Sequence, residues 1–207
     1  MAKEKYQSAQ AYEDALRKTL TDLANKTLTP KELLEIKKIT HGIHTHITYL
    51  MGKKFLESIV SNDDMAQILE EDFIYDEMCN NGFDIELSYN NKKIVAEIKG
   101  NIPVCNNKTY GANQRDSITK DIDYLIYGKN KSKGYKPVGG SPLESLKDAC
   151  RFLILLKDNE TAIRTLIENL KNKNEEKYND LFYFPENLCW EEFPPQTINI
   201  IFIDLKM

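Results

Sequence analysis

Three charged side chains, those of Asp84, Glu97 and Lys99, have types and a spacing that suit metal-assisted chemistry. If residues 90 and 91 form a two-residue turn, Asp84 lies opposite Glu97, because the pairing follows from the turn by counting. Two carboxylates directly opposite each other repel unless a positive charge lies between them. Mg²⁺ prefers such oxygen ligands, and Lys99 projects from the same strand face as Glu97. The pattern therefore predicts a metal site beside a cationic group.

The residues on either side of this turn alternate between apolar and polar, which indicates two antiparallel strands. Asn90-Asn91 lies between them, and asparagine tolerates the positive φ angles of a tight turn. The expected register pairs Tyr89 with Lys92 and Leu87 with Ile94. It places the apolar members on one face. The other face carries the charged members, Asp84, Glu86, Glu97 and Lys99. The alternative is that this face is simply the solvated side of a half-buried hairpin.

A further acid, Glu57, lies near the apolar stripe of a helix that precedes the hairpin. It follows Leu50 of that stripe by seven residues, which rotates it only about 20° from the stripe. An acid at the margin of a core-facing stripe is costly unless it is paired or ligated. The alternative is that the stripe drifts toward Phe55 and Ile59 and leaves Glu57 in solvent.

Helices and strands are expected along most of the chain. Thr29-Pro30-Lys31-Glu32 predicts a helix start, with Thr29 as N-cap and Pro30 at the first position. From the apolar periodicity we expect helices over residues 6–25, 30–60, 63–79, 112–127, 143–149 and 161–177, and strands over 151–156 and 197–204. Strands that alternate with helices after the hairpin indicate a mixed sheet covered on both faces.

Together these residues resemble the PD-(D/E)XK nuclease superfamily, and its type II restriction endonucleases most closely. The resemblance rests on the helical Glu57, on Gly82-Phe83-Asp84 and on Val95-Ala96-Glu97-Ile98-Lys99-Gly100. It covers about residues 40–160. The proline that precedes the aspartate in the family pattern is Phe83 here, at a position that varies widely in the superfamily.

The resemblance implies an α/β fold with a restriction-endonuclease-like mixed central sheet flanked by helices, to which the apolar periodicity adds an N-terminal helical region. We expect a single nuclease domain over residues 1–207. Within it, residues 1–39 would form a helical extension and residues 40–160 the catalytic core. Residues 161–207 would supply the C-terminal helix, an aromatic loop and the last strand.

The resemblance also implies a role for each site residue. Asp84 and Glu97 would bind Mg²⁺, with the carbonyl of Ile98 as a third oxygen ligand. Lys99 would be the catalytic lysine, which could hold or deprotonate the attacking water or stabilise charge on the phosphate. Glu57 would be the supporting helical acid.

The implied substrate is double-stranded DNA. The segments after the hairpin are rich in side chains that suit base edges and phosphates. The candidate DNA-binding residues are Asn107, Lys108, Asn113, Gln114, Arg115 and Lys131. A polar coil or a solvated basic loop is the alternative for these segments. The net charge of −4 does not itself attract DNA, so local clusters of lysine and arginine have to supply the phosphate contacts.

Composition excludes several other classes of protein. A hydrophobic fraction of 41% with 29% charged residues is ordinary for a globular protein, and four scattered cysteines argue against a zinc site or a disulfide framework. The apolar runs are too short to cross a bilayer, and the N-terminal residues lack the apolar core of a signal peptide, so we expect a cytoplasmic protein with no membrane partner.

We therefore expect a Mg²⁺-dependent type II restriction endonuclease that acts as a homodimer. The alternatives are another nuclease of the same superfamily in DNA repair or phage defence, and a non-catalytic DNA-binding or protein-interaction module on the same scaffold. A plain α/β protein with a polar hairpin face is a further alternative.

Overall fold

A computed structural model describes residues 29–61, 82–103, 109–129, 146–186, 193–194 and 196–205, with residues 14, 17, 18 and 21. The chain divides into two compact units, residues 1–50 and 51–207. The expected helix 63–79 and most of the expected helix 6–25 lie outside the described residues. Of the expected helix 143–149, residues 146–149 are described, and they are not α-helical. The expectation of a single nuclease domain stays a prediction.

Helix α1 spans Pro30–Ile59 and begins where the sequence predicts. The backbone N–H of Thr29 donates to Glu32 Oε2 at 2.8 Å, and the N–H of Glu32 donates to Thr29 Oγ1 at 3.3 Å. These reciprocal bonds satisfy two of the backbone donors that a helix start leaves without a partner. Pro30 fits the first position because it has no N–H to satisfy.

The predicted hairpin is present as strands β1 (Ile85–Tyr89) and β2 (Lys92–Lys99), which pair antiparallel. Tyr89 pairs with Lys92 and Leu87 with Ile94, so the expected register is confirmed. Asn90 and Asn91 have φ angles of 49° and 62°, which is the left-handed conformation that a tight two-residue hairpin turn requires.

The hairpin forms one edge of a five-stranded mixed sheet in the order β1-β2-β3-β5-β4. The other strands are β3 (Cys150–Leu156), β4 (Phe182–Tyr183) and β5 (Ile198–Ile203). Strand β3 lies parallel to both β2 and β5, and β4 is parallel to β5. The expectation of an α/β fold with a mixed sheet is confirmed at this level.

Helices connect these strands. Helix α2 (Ala112–Tyr127) lies between β2 and β3 in the chain, with the bounds that the sequence predicts. A short 3₁₀ turn, Lys157–Asn159, leads from β3 into α3 (Glu160–Lys173), and α4 (Glu175–Tyr178) follows. The single helix expected over residues 161–177 is therefore interrupted at Asn174, whose φ of −154° is not helical.

Both faces of the sheet are covered. On one face, apolar residues of α2 and α3 pack with Val95, Leu153 and Ile200 in a single buried cluster. On the other face, the rings of Phe55 and Phe152 meet with their centroids 4.9 Å apart. Among the described residues, no helix is long and apolar enough to span a membrane.

The expectation that all apolar members of the hairpin share one face is wrong. Val95 lies on the charged face and is fully buried in the cluster with α2 and α3. Strand β2 lies between two other strands and has a helix over that face, so its residues from Ile94 to Ile98 are all buried.

Candidate active site

Asp84 lies just before β1, and its carboxylate is fixed by the neighbouring strand. Its Oδ2 atom accepts a hydrogen bond from the backbone N–H of Ile98 at 2.7 Å. The register pairs Ile85 with Ala96, so Asp84 is in line with Glu97, as the sequence predicts. The side chain of Asp84 thus satisfies the Ile98 N–H beyond the end of β1.

The same bond indicates where the carbonyl of Ile98 is directed. In a strand, the N–H and the C=O of one residue point toward the same neighbouring strand. Since the Ile98 N–H reaches Asp84, the Ile98 carbonyl is directed to that same side. Its expected role as a metal ligand stays a prediction, but its direction is compatible with it.

Glu97 is the most deeply buried acid of this group, with 3% of the residue exposed. The Nζ atom of Lys129 lies 2.5 Å from its Oε1 atom. Burial, together with the nearby charge of Asp84, raises the pKa of Glu97 to about 8, and the ammonium of Lys129 only partly opposes this. The surroundings of Glu97 thus disfavour its charged form.

The solvated-face alternative describes Glu86 and does not describe Glu97. Glu86 is exposed on the same face of the hairpin and pairs with Lys93 at 2.7 Å. Glu97 is buried beneath α2, where an unpaired carboxylate costs several kcal/mol or more. The two acids therefore lie in different environments although they share a face.

Lys99 pairs with Asp121 of α2, and their charged atoms are 2.7 Å apart. Burial lowers the pKa of Lys99, but the charge and the hydrogen bond of Asp121 outweigh it, so that pKa lies above its usual value. Lys99 is therefore an ammonium at neutral pH. An ammonium can donate hydrogen bonds to water or phosphate but cannot take a proton from water.

Lys129 follows the end of α2, where Gly128 has a φ of 83° and turns the chain. Its ammonium donates to the carbonyl of Gly82 at 2.5 Å. It also lies over the rings of Phe83 and Tyr124, at 5.3 and 5.1 Å from their centroids. Lys129 is thus held by a carbonyl and two aromatic faces in addition to Glu97.

Asp121 and Lys129 are the two residues of the site that the sequence reasoning did not select. Asp121 lies three residues after Ile118 and four before Leu125, so it falls within the buried stripe of α2. A charged residue inside an apolar stripe was a signal that could have identified it. Lys129 stands out in the sequence only as one of the lysines of the basic segment 129–136.

Carboxylates outnumber ammonium groups in this charge cluster, which consists of Asp84, Glu97, Lys99, Asp121 and Lys129. The pKa of Asp84 and that of Asp121 are both raised, in each case mainly by burial. In the described part of the chain, no group of three or more His, Cys, Asp or Glu side chains is arranged to hold a metal ion. Two carboxylates and a carbonyl nevertheless fit Mg²⁺, which keeps several waters and takes one or two protein carboxylates.

Glu57 differs from the acids of the charge cluster because its side chain is exposed. Half of its side chain is exposed, at 50%, and it pairs with Lys53 at 3.8 Å. Phe55 and Ile59 are buried instead, so the apolar stripe drifts as the alternative reading proposed. The burial that suggested a role for Glu57 is therefore absent, and its role as a supporting acid stays a prediction.

The candidate DNA-binding residues are placed in part. Asn107, Lys108 and Lys131 lie outside the described residues, while Asn113 and Arg115 are exposed at the start of α2. Gln114 is engaged with the backbone: its Oε1 accepts from the N–H of Gly111 at 3.1 Å, and its Nε2 donates to the carbonyl of Ile102 at 2.9 Å. Gln114 therefore fixes the approach of the chain to α2 in this structure.

Comparison of the chain with protein-family models, with curated proteins and with solved structures gives no match. The geometry of the charge cluster is therefore the basis for any functional proposal.

Proposed function

We propose that this chain is a Mg²⁺-dependent endonuclease that hydrolyses phosphodiester bonds of double-stranded DNA, in the manner of type II restriction endonucleases. The observation that carries the proposal is the burial of Glu97 in line with Asp84 and beside Lys99. Buried acids with raised pKa values are costly to a fold and concentrate at functional sites. The type and spacing of the three residues match the superfamily pattern.

Each residue has a role that its contacts support. Asp84, held by the Ile98 N–H, and Glu97 would hold the ion. When bound, Mg²⁺ would polarise the phosphate and increase the acidity of a water molecule. Lys99, oriented by Asp121, would donate to a phosphate oxygen and stabilise the charge that develops there.

We further propose that the enzyme acts as a homodimer, in which a two-fold axis presents one site to each DNA strand. Arg115 and Asn113, exposed at the start of α2, are available for DNA contact. Sedimentation of the protein with and without a DNA duplex measures the oligomeric state.

Incubation of the protein with plasmid and phage DNA in the presence of Mg²⁺, followed by sequencing of the ends, tests the proposed function. Ends at one fixed short sequence support a restriction endonuclease. Ends that follow DNA structure or damage support a repair nuclease of the same superfamily. Intact DNA, together with calorimetric evidence of metal or DNA binding, supports a non-catalytic module and contradicts the proposal.

A further inference from the structure

The charge cluster contains one cation that the proposed chemistry does not use. Lys129 is not part of the hairpin, yet its ammonium lies 2.5 Å from Glu97 Oε1, closer than Lys99 lies to Asp121 at 2.7 Å. It also contributes to the charge environment of Asp84 and Asp121. A single ammonium thus faces three carboxylates.

Lys129 has contacts that do not depend on Glu97. Its ammonium reaches the carbonyl of Gly82 at 2.5 Å and lies over the rings of Phe83 and Tyr124. Phe83 and Gly82 directly precede Asp84 in the chain. If the ammonium withdrew from Glu97, the carbonyl and the two ring faces could still hold it.

A divalent cation and this ammonium would compete for the same oxygen. Mg²⁺ lies about 2.0–2.1 Å from its oxygen ligands, so an ion on Glu97 would be only a few Å from the ammonium of Lys129. Repulsion at that distance is large in a buried site. Mg²⁺ and the ammonium of Lys129 therefore cannot both bind the Glu97 carboxylate closely at the same time.

We propose that Lys129 is the built-in counter-ion of the acidic site: its ammonium contacts the carboxyl group of Glu97 in the metal-free protein and is displaced from Glu97 when a divalent cation binds. This inference rests on the proposed function, because it takes Glu97 as a metal ligand. In this positioning role, Lys129 stabilises the buried acids in the metal-free protein until the ion binds.

Calorimetric titration of Mg²⁺ and Mn²⁺ into metal-free protein tests the competition. Lys129→Met removes the competing charge, so the variant binds the ion more tightly than the wild type, by about tenfold or more. Its melting temperature in EDTA falls and recovers more on addition of the ion. An affinity equal to or weaker than that of the wild type, in a folded variant, contradicts the proposal.

Lys177→Met is the matched control. Lys177 pairs with Asp123 at 2.7 Å and lies over the rings of Tyr127 and Tyr178, so it has the same kinds of contacts as Lys129. Its replacement removes an equivalent ion pair away from Glu97. The affinity for the ion stays at the wild-type value in this control, and a comparable increase would show that the effect is not specific to Lys129.

A second measurement uses the unaltered protein and does not require the variant to fold. The rate at which an amine-acylating reagent modifies Lys129 is followed by mass spectrometry with and without Mg²⁺. Displacement from Glu97 makes Lys129 react several-fold faster with the ion, while Lys177 is unchanged. If the ion binds and Lys129 is unchanged, this inference fails and the proposed function stands; if no ion binds the wild type or Lys129→Met, the proposed function fails.

Discussion

At the scale of single residues, two ion pairs explain how the acids of the charge cluster are tolerated. Glu97 is paired with Lys129, and Asp121, of which 7% is exposed, is paired with Lys99. In both cases burial raises the pKa of the acid, so the pairing offsets the cost of burial only in part. These acids are therefore sensitive to pH and to the loss of their partners.

Glu97 should make the metal-free protein less stable as the pH rises. Its pKa is 4.5 by its ordinary value and about 8 in the fold, so between these values the folded state holds a proton that the unfolded state has lost. The stability that Glu97 contributes is fully present below pH 4.5 and is lost as the pH rises through about 8.

Melting temperatures in EDTA, measured from pH 5 to pH 9 for the wild type and for Glu97→Gln, isolate this contribution. The wild type loses stability relative to the variant as the pH rises, by about 2–4 °C for each kcal/mol. A difference between the two proteins that is constant over the whole range contradicts the buried placement of Glu97.

The pair of Lys99 and Asp121 should behave as a unit in stability. Lys99→Met leaves a buried carboxylate without its partner and lowers the free energy of unfolding by about 3 kcal/mol or more. The double variant Lys99→Met/Asp121→Asn recovers most of that loss, because no uncompensated charge remains. Urea unfolding measures the coupling, and strictly additive effects would show that the two side chains do not interact.

At the scale of elements, the hairpin could be predicted closely because its determinants are local. The Asn90-Asn91 turn and the alternation of apolar residues determine the register by counting, and the register brings Asp84 and Glu97 into line. The bounds of α2 follow from its stripe and from Gly128. Local sequence was therefore sufficient to predict the structure at these positions.

The rest of the site could not be predicted because it depends on tertiary packing. Asp121 and Lys129 contact the hairpin only because α2 packs over the charged face of β2. No local sequence pattern predicts this packing. The drift of the α1 stripe away from Glu57 has a different cause. In a helix as long as Pro30–Ile59, small deviations from the ideal periodicity accumulate.

The turn prediction can be tested by one substitution at two positions. Asn91→Gly raises the free energy of unfolding by a few tenths to about 1 kcal/mol, because Asn91 has a φ of 62° and glycine adopts this conformation without steric cost. Asn113→Gly, at an exposed position in the first turn of α2, lowers it by a few tenths of a kcal/mol, because glycine is a slightly poorer helix former than asparagine. Urea unfolding of both variants should give opposite signs, and equal signs would contradict the assigned turn.

At the scale of the whole molecule, the second unit is organised by a sheet with two buried faces. One face packs against α2 and α3, and the other carries Phe152 against Phe55. A sheet covered on both faces restrains the end of β2, as the proposed metal-binding role of the hairpin would require.

Phe152 should be among the most important residues for this arrangement. It is fully buried and contacts the rings of Phe55 and Phe193. Phe152→Ala lowers the free energy of unfolding by about 3–5 kcal/mol through lost burial and a cavity. Tyr183→Ala, at a residue 38% exposed, costs much less. Urea unfolding measures both changes. Similar decreases in the free energy of unfolding for the two variants would contradict a core on both faces of the sheet.

The most direct test of the proposed activity is conversion of supercoiled plasmid to linear DNA by the wild type, Asp84→Asn and Glu86→Gln, each with Mg²⁺ and with EDTA. Glu86 is the matched control, since it is an exposed acid on the same face of the hairpin. We predict that the wild type and Glu86→Gln cut only with Mg²⁺, and that Asp84→Asn loses at least about 100-fold in rate. Equal cutting by Asp84→Asn, or undiminished cutting in EDTA, would contradict the account.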